Sequence, residues 1–204
     1  APLLEQLGWR GTFYLSFSML QEAGNTGGFT RRQASRAQEA GHELGCHTYG
    51  HLDLSRSGLQ QLGADLARNR ANFEALWPGY PLHSFSYPFG AQTAGSKQLV
   101  SDCFRSARGI LPGIHTRQAD LLNLNAYPLY EGRVPLSRQL EYVRETARTG
   151  GWLIFYTHDV QEDYSRYGCS PGYFTQVAEA CRDAGLAGVT VREAVQQLRQ
   201  FAAE

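Results

Sequence analysis

Short apolar runs alternate with longer amphipathic stretches along nearly the whole chain, and this rhythm narrows the possible folds more than any other feature. Residues 11–17 read as a buried, aromatic-rich strand. A helix is predicted over 30–40, closed by Gly41 as C-cap, and a strand over 42–46 follows. A long helix is expected over about 57–76, with Ser57 as N-cap and Leu59, Leu62, Leu66 and Phe73 near helical spacing. Further strands are predicted over 84–87, 104–110 and 152–156, and helices over 96–103, 137–149 and 173–184. A last β-like step at 188–190 leads into a closing helix, while 111–135 has no clean period. Strands that alternate with helices imply βα units around a parallel sheet buried on both faces, either open or closed into a barrel.

Composition limits what such a fold can do. The 204 residues suit one domain spanning 1–204, and 42% hydrophobic content marks a globular chain. With 19 basic and 19 acidic residues, there is no excess charge of the kind that nucleic-acid or anionic-membrane binders concentrate. Lys97 is the only lysine, which reads as a coding bias of the source. No apolar run reaches the ~18 residues of a membrane span, and no signal-peptide pattern opens the chain. Cys46, Cys103, Cys169 and Cys181 lack CxxC spacing. They read as buried free thiols, with one disulfide open to them in an oxidising compartment.

In parallel βα folds the chemistry gathers where strands end, and three polar clusters occupy predicted strand ends: His47 with His51, Tyr87 to Gly90, and His158 with Asp159. Two imidazoles four residues apart could aim at one metal from a helical turn, or could simply lie on a solvated face. His158 could be a satisfied core histidine, and 87–90 only a strand-ending turn. Arg105 and Arg108 read either as exposed charges or as one residue that orients a catalytic carboxylate. Asp53 reads as a cap or as a neighbour of the metal ligands; His42, His83 and His115 read as structural.

His47-Thr48-Tyr49-Gly50-His51, then Phe85-Ser86-Tyr87-Pro88-Phe89-Gly90, then Tyr156-Thr157-His158-Asp159 resemble, in that order, the motifs of the polysaccharide deacetylase family. This is the NodB-homology group, carbohydrate esterase family 4. Gly11-Thr12-Phe13-Tyr14 and Gly41-His42-Glu43-Leu44-Gly45 resemble its flanking strands, so the likeness runs from Pro2 to about Val195. The resemblance implies a distorted (β/α)7 barrel that removes N- or O-acetyl groups from sugar polymers with a divalent metal, most often zinc. His47 and His51 would hold the metal, and His158 would act as general acid. The Tyr87 N–H would bind the oxyanion, and Tyr87, Phe89 and Tyr49 would line the sugar groove. The implied partner is an acetylated polysaccharide or oligosaccharide, and the implied setting is bacterial, in the cell envelope or secreted.

The chain departs from the family in one serious respect. Family members open on Thr-Phe-Asp-Asp-Gly, whose first Asp is the catalytic base and whose second is the third metal ligand. Here no Asp precedes Asp53 and no Asp-Asp pair occurs. The opening Ala1 to Gly8 resembles the helix that follows that strand, so the domain is expected to be N-terminally incomplete by about a dozen residues, without its first strand. An enzyme whose first strand, with the base, is missing from this chain and a disabled carbohydrate-binding relative are the competing readings; the base is worth roughly 10²–10⁴ in rate. A third reading is an amidohydrolase acting on a small non-sugar molecule. Ser86 stands where many members carry an arginine, Tyr156 where they carry Leu, and no Asp-x-x-Asp-Trp segment is present.

Overall fold

Six short parallel strands follow one another in chain order in the computed structural model, which describes residues 1–21, 28–116 and 118–201. Strands β1 (Thr12–Leu15), β2 (Glu43–Cys46), β3 (Ser84–Ser86) and β4 (Ser106–Arg108) form one sheet in the order β1-β2-β3-β4. Strands β5 (Tyr127–Pro128) and β6 (Phe155–Tyr156) form a second parallel pair. A parallel bridge from Arg108 to Leu124 carries the pairing from β4 into the segment that continues as β5. Helices α1 (Pro2–Gln6), α2 (Arg31–Glu39), α3 (Leu59–Leu76), α4 (Ala94–Cys103), α5 (Leu136–Thr149), α6 (Pro171–Asp183) and α7 (Val191–Phe201) occupy the intervals. The expected α/β class with a parallel sheet is what the chain forms. Every strand runs the same way, so the C-terminal ends of β2, β3, β4 and β6 open on one rim.

Local chemistry explains where the elements begin and end. Thr30 caps α2 and Thr93 caps α4, each through a reciprocal capping box with the residue at the third helical position, Gln33 and Ser96. Gly150 follows α5 in the left-handed conformation, and Ser170 accepts the Tyr173 N–H at the start of α6. Ser57 does not cap α3: its hydroxyl donates to the Asp53 carbonyl, and Gly58 takes the cap position. The strands are shorter than predicted because side chains and turns take over their ends. Trp152 pairs antiparallel with His115 instead of extending β6, and residues 188–190 form no strand because Thr190 caps α7. All four cysteines are free; Cys46 and Cys169 are buried, and Cys103 is exposed.

The core lies in three clusters, the largest between β1–β4 and helices α2, α3 and α4, around Leu44, Phe73, Phe85 and Val100. Two buried polar side chains tie its layers together. Asn69 of α3 accepts the Phe17 N–H and donates to the Leu15 carbonyl, so the helix holds the exit of β1. Glu43, only 1% exposed on the central strand, is the second. It accepts hydrogen bonds from Thr12 Oγ1 at 2.8 Å, from Ser84 Oγ at 2.5 Å and from the Arg192 N–H at 2.9 Å. One carboxylate thus joins β1, β2, β3 and the first turn of α7, where a negative group also complements the helix dipole. Thr12 Oγ1 accepts the neighbouring Val191 N–H at 2.9 Å.

Two expectations follow. Glu43→Gln keeps the volume but puts amide hydrogens against a donor and removes the charge assistance, at a cost of roughly 2–4 kcal/mol in urea-unfolding free energy; a loss under 1 kcal/mol would show the network to be dispensable. All six histidines are held below their ordinary value of 6.5, each chiefly by burial. Depressed folded values mean that the unfolded chain binds more protons below 6.5. The histidine contribution is therefore complete above that pH and drains away as pH falls through it toward the folded values. The urea midpoint should drop between about pH 7 and pH 5, before most carboxylates titrate; a flat midpoint there would contradict neutral buried imidazoles.

Candidate active site

His47 leaves the end of β2 with its N–H on the Leu15 carbonyl at 3.1 Å, so the sheet itself sets where this imidazole starts. The chain beyond does not continue as a helical turn, contrary to the spacing argument. Thr48 and His51 both adopt the left-handed region, with φ of 60° and 53°. That conformation is uncommon for any non-glycine residue and strained for a β-branched one, so surrounding bonds must enforce it. The Asp65 carboxylate accepts the N–H groups of Tyr49 and Gly50 at 2.5 and 2.9 Å, and Thr48 Oγ1 accepts the Leu52 N–H at 3.0 Å. The resulting tight loop sets the two imidazoles edge to face, with centroids 4.8 Å apart.

His47 Nδ1–H donates to the Ser86 carbonyl at 2.7 Å, which leaves Nε2 with its lone pair. Burial, then the nearby Arg108 guanidinium, push its pKa down to about 3, so the ring is neutral. His51 is lowered by burial and by His158. Its ring meets Phe89 at 4.6 Å, and Phe89, with φ of 59°, is 63% exposed on the rim. Tyr49 turns one ring face to the Arg68 guanidinium, 3.7 Å from the ring centroid, and packs on the main core.

Tyr87 does not sit as expected. Its N–H, expected to meet an oxyanion, donates to the Arg108 carbonyl at 3.0 Å because the β3–β4 ladder runs on by one residue. Its ring is 1% exposed, with the hydroxyl donating to the Leu122 carbonyl at 3.0 Å, so it lines no groove. Pro88 carries no N–H, and those of Gly90 and Ala91 bond the carbonyls of Tyr87 and Pro88.

His158 closes the group from β6. Its N–H donates to the Tyr167 carbonyl at 3.1 Å, and its Nδ1 meets the Tyr130 hydroxyl at 3.3 Å. The Tyr130 and Tyr167 rings flank it at 5.8 and 5.3 Å. It retains an exposed edge, and burial of the remainder together with Arg108 lowers its pKa. Of the two arginines left open by the sequence, Arg108 is the one at the site. It is 9% exposed, donates to Ser86 Oγ and to the Gly109 carbonyl, and lies over Tyr156. Its Nε and the nearby Tyr14 hydroxyl have no hydrogen-bond partner among the described residues. Arg105, an exposed residue, is not brought to the site.

Asp159 accepts the Ser165 N–H, and Asp53 accepts from the N–H and hydroxyl of Ser55, so both carboxylates staple loops. Tyr130 and Tyr167 were not foreseen; each lies in a stretch without periodicity, and its aromatic character was the only available signal.

The family implies a metal, and the donors can be tested against one. A neutral imidazole whose Nδ1–H is fixed by a backbone carbonyl presents Nε2 as zinc ligands do. His47 meets that requirement, and His51 stands beside it. Among the described residues no group of three or more His, Cys, Asp or Glu side chains converges, so these two imidazoles are one short of the three protein ligands that catalytic zinc sites use.

Solved structures resemble this chain at the level of fold. A deacetylase from Streptococcus pyogenes, solved with acetate, superposes with TM-score 0.55 at 19% identity over 62% of this chain and 55% of that one. The carbohydrate esterase domain of a multidomain xylanase from the hindgut metagenome of Trinervitermes trinervoides gives 0.63 at 16% identity, covering 96% and 81%. A pseudoenzyme of the same esterase family from Bacillus anthracis gives 0.59 at 12% identity, covering 94% and 57%. The chain therefore spans little more than half the length of the streptococcal and bacillar proteins. No curated protein matches its sequence significantly. The family model for polysaccharide deacetylase matches residues 1–104, the half that carries both His47 and His51 and the turn at Phe89, and the chain belongs to the polysaccharide deacetylase family.

Proposed function

We propose that this domain removes acetyl groups from acetylated polysaccharides or oligosaccharides with a divalent metal, zinc by resemblance, held by His47 and His51. The observation that carries the reading is the neutral His47, fixed through Nδ1 and grouped on one rim with His51 and within electrostatic range of His158. When bound, the metal supplies Lewis acidity toward the acetyl carbonyl and water. The chain's own residues do the rest. The Ser86 carbonyl and the strained 47–51 loop hold the ligands in place. To act as general acid His158 takes up a proton and works as the imidazolium: Nδ1–H then donates to the Tyr130 hydroxyl oxygen at 3.3 Å, and the Nε2 proton goes to the departing amine or alkoxide, which leaves a neutral ring. With the Tyr87 N–H in the ladder, the oxyanion donor of this turn falls to the N–H of Phe89, whose exposed ring also suits a sugar face.

The third metal ligand and the general base fall outside the described residues on this reading. Action in the cell envelope or outside the cell belongs to the same proposal. A second reading, a disabled relative that binds sugar without turnover, is favoured by one observation: no carboxylate joins the imidazoles among the described residues.

The test uses the intact protein that contains this domain, loaded with zinc and offered acetylated chitooligosaccharides and acetylxylan. Acetate release is expected, and His158→Gln should lower kcat by roughly 10²–10⁴ with little change in KM. His47→Ala and His51→Ala should each abolish zinc retention, read by elemental analysis after dialysis. No acetate from any substrate, with saccharide binding intact, would establish the disabled relative; undiminished zinc in both variants would remove the metal assignment.

A further inference from the structure

Two guanidiniums of like charge converge on one tyrosine beside His158. Arg133, in the turn that follows β5, has its guanidinium carbon 4.9 Å from the centroid of Tyr167, and Arg166 has its own at 4.5 Å. Arg166 also donates to the Tyr167 hydroxyl. Tyr167 is itself anchored to the site: its carbonyl accepts the His158 N–H at 3.1 Å and the Thr157 hydroxyl at 3.3 Å, and its ring packs 5.3 Å from the imidazole. Both arginines are exposed. Cation–π contact at an exposed site is weak, so it does not by itself account for two cations on one ring.

None of the local acids forms a direct ion pair with them among the described residues. Asp159 turns its carboxylate to the Ser165 N–H, and Glu131 turns its own to the Ser170 N–H at 2.7 Å. Glu162 and Asp163 lie exposed on the same loop. Among the described residues neither Arg133 nor Arg166 enters an ion pair, in a chain whose formal net charge is zero. The planar fork of N–H donors on each of these guanidiniums matches a carboxylate.

We infer that Arg133 and Arg166, carried on Tyr167 beside His158, form a cationic subsite, and that the glycan taken at this rim is acidic, with a carboxylate on the sugar next to the acetylated one. The inference rests on the deacetylase reading only in taking this rim as the glycan-binding end. An uncharged polymer would gain nothing from the pair, whereas a uronic acid placed there meets two charge-assisted donor sets. Rim charges also steer a charged ligand toward the site, an effect that weakens as salt is added.

The experiment titrates the intact protein with an acetylated oligogalacturonide and, separately, with a neutral acetylated xylo-oligosaccharide of equal length. Binding is followed by calorimetry and by the His158 ring resonances, and acetate release is measured in parallel. The acidic ligand should bind about tenfold more tightly at low ionic strength, with the advantage shrinking as salt rises. The Arg133→Gln/Arg166→Gln double variant should lose that advantage and keep both its melting temperature and its affinity for the neutral ligand. Arg133→Lys should retain part of it. Equal affinity for the two ligands, binding of neither, or an advantage that survives the double substitution would overturn the inference. Acetate released equally well from the neutral polymer would overturn it and leave the deacetylase reading standing. Tight, arginine-dependent binding of the acidic ligand without acetate from either would do the reverse.

Discussion

A single buried carboxylate holds the two ends of this chain together. Glu43 sits on the central strand and accepts hydrogen bonds from β1, from β3 and from the N-terminus of α7, a helix that begins about 150 residues later in sequence. A buried charge is costly unless every lone pair is matched, so the arrangement either forms completely or is a liability. Here three donors, on three different elements, meet it. One of the bonds that solvate Glu43 satisfies the Arg192 amide of α7, while Thr12 Oγ1 and Thr190 Oγ1 take the Val191 and Glu193 amides beside it. With β1, β2 and β3 locked in parallel register, the ends of β2 and β3 are aligned, and His47 and the 87–90 turn emerge side by side.

The site uses that alignment in a particular way. Backbone groups left over at the strand ends become its scaffold: the Ser86 carbonyl takes His47, and the Arg108 carbonyl takes the Tyr87 N–H. Arg108 reaches inward from β4 and bonds Ser86, and its charge adds to burial in lowering the pKa of His47 and His158. A guanidinium buried this deeply without a carboxylate neighbour is expensive. Its surroundings offset this in part, through two hydrogen bonds and the π faces of Tyr14 and Tyr156. The strain at Thr48 and His51 is a further cost accepted at the same place.

Much of this is legible in the amino-acid sequence. The alternation of apolar runs with amphipathic stretches pointed to parallel βα units, and the expected helices over 30–40 and 137–149 lie within a residue or so of α2 and α5. What could not be read was competition between bonding partners. Ser57 looks like a cap, yet its hydroxyl finds the Asp53 carbonyl first. Tyr87 looks like a rim residue, yet one more rung of ladder draws in its N–H and buries its ring. The histidine spacing suggested a helical turn, but a loop braced by Asp65 achieves the same convergence with a different backbone. In each case the deciding partner lies on another element or beyond the reach of local periodicity.

The sequence by itself determined the element types, the polar clusters at strand ends and the family to which the chain belongs, because these rest on local pattern and on spacing along one strand or loop. Tertiary structure decided the rest. It chose Arg108 over Arg105, since a parallel strand sends alternate residues to opposite faces and the register with β3 fixes which face holds Ser86. It brought Tyr130 and Tyr167 to His158 from stretches with no period of their own, because a contact between distant segments has no signature in either one alone. It also stacked Arg133 and Arg166 on a single ring, a concentration of charge that a net balance of zero conceals.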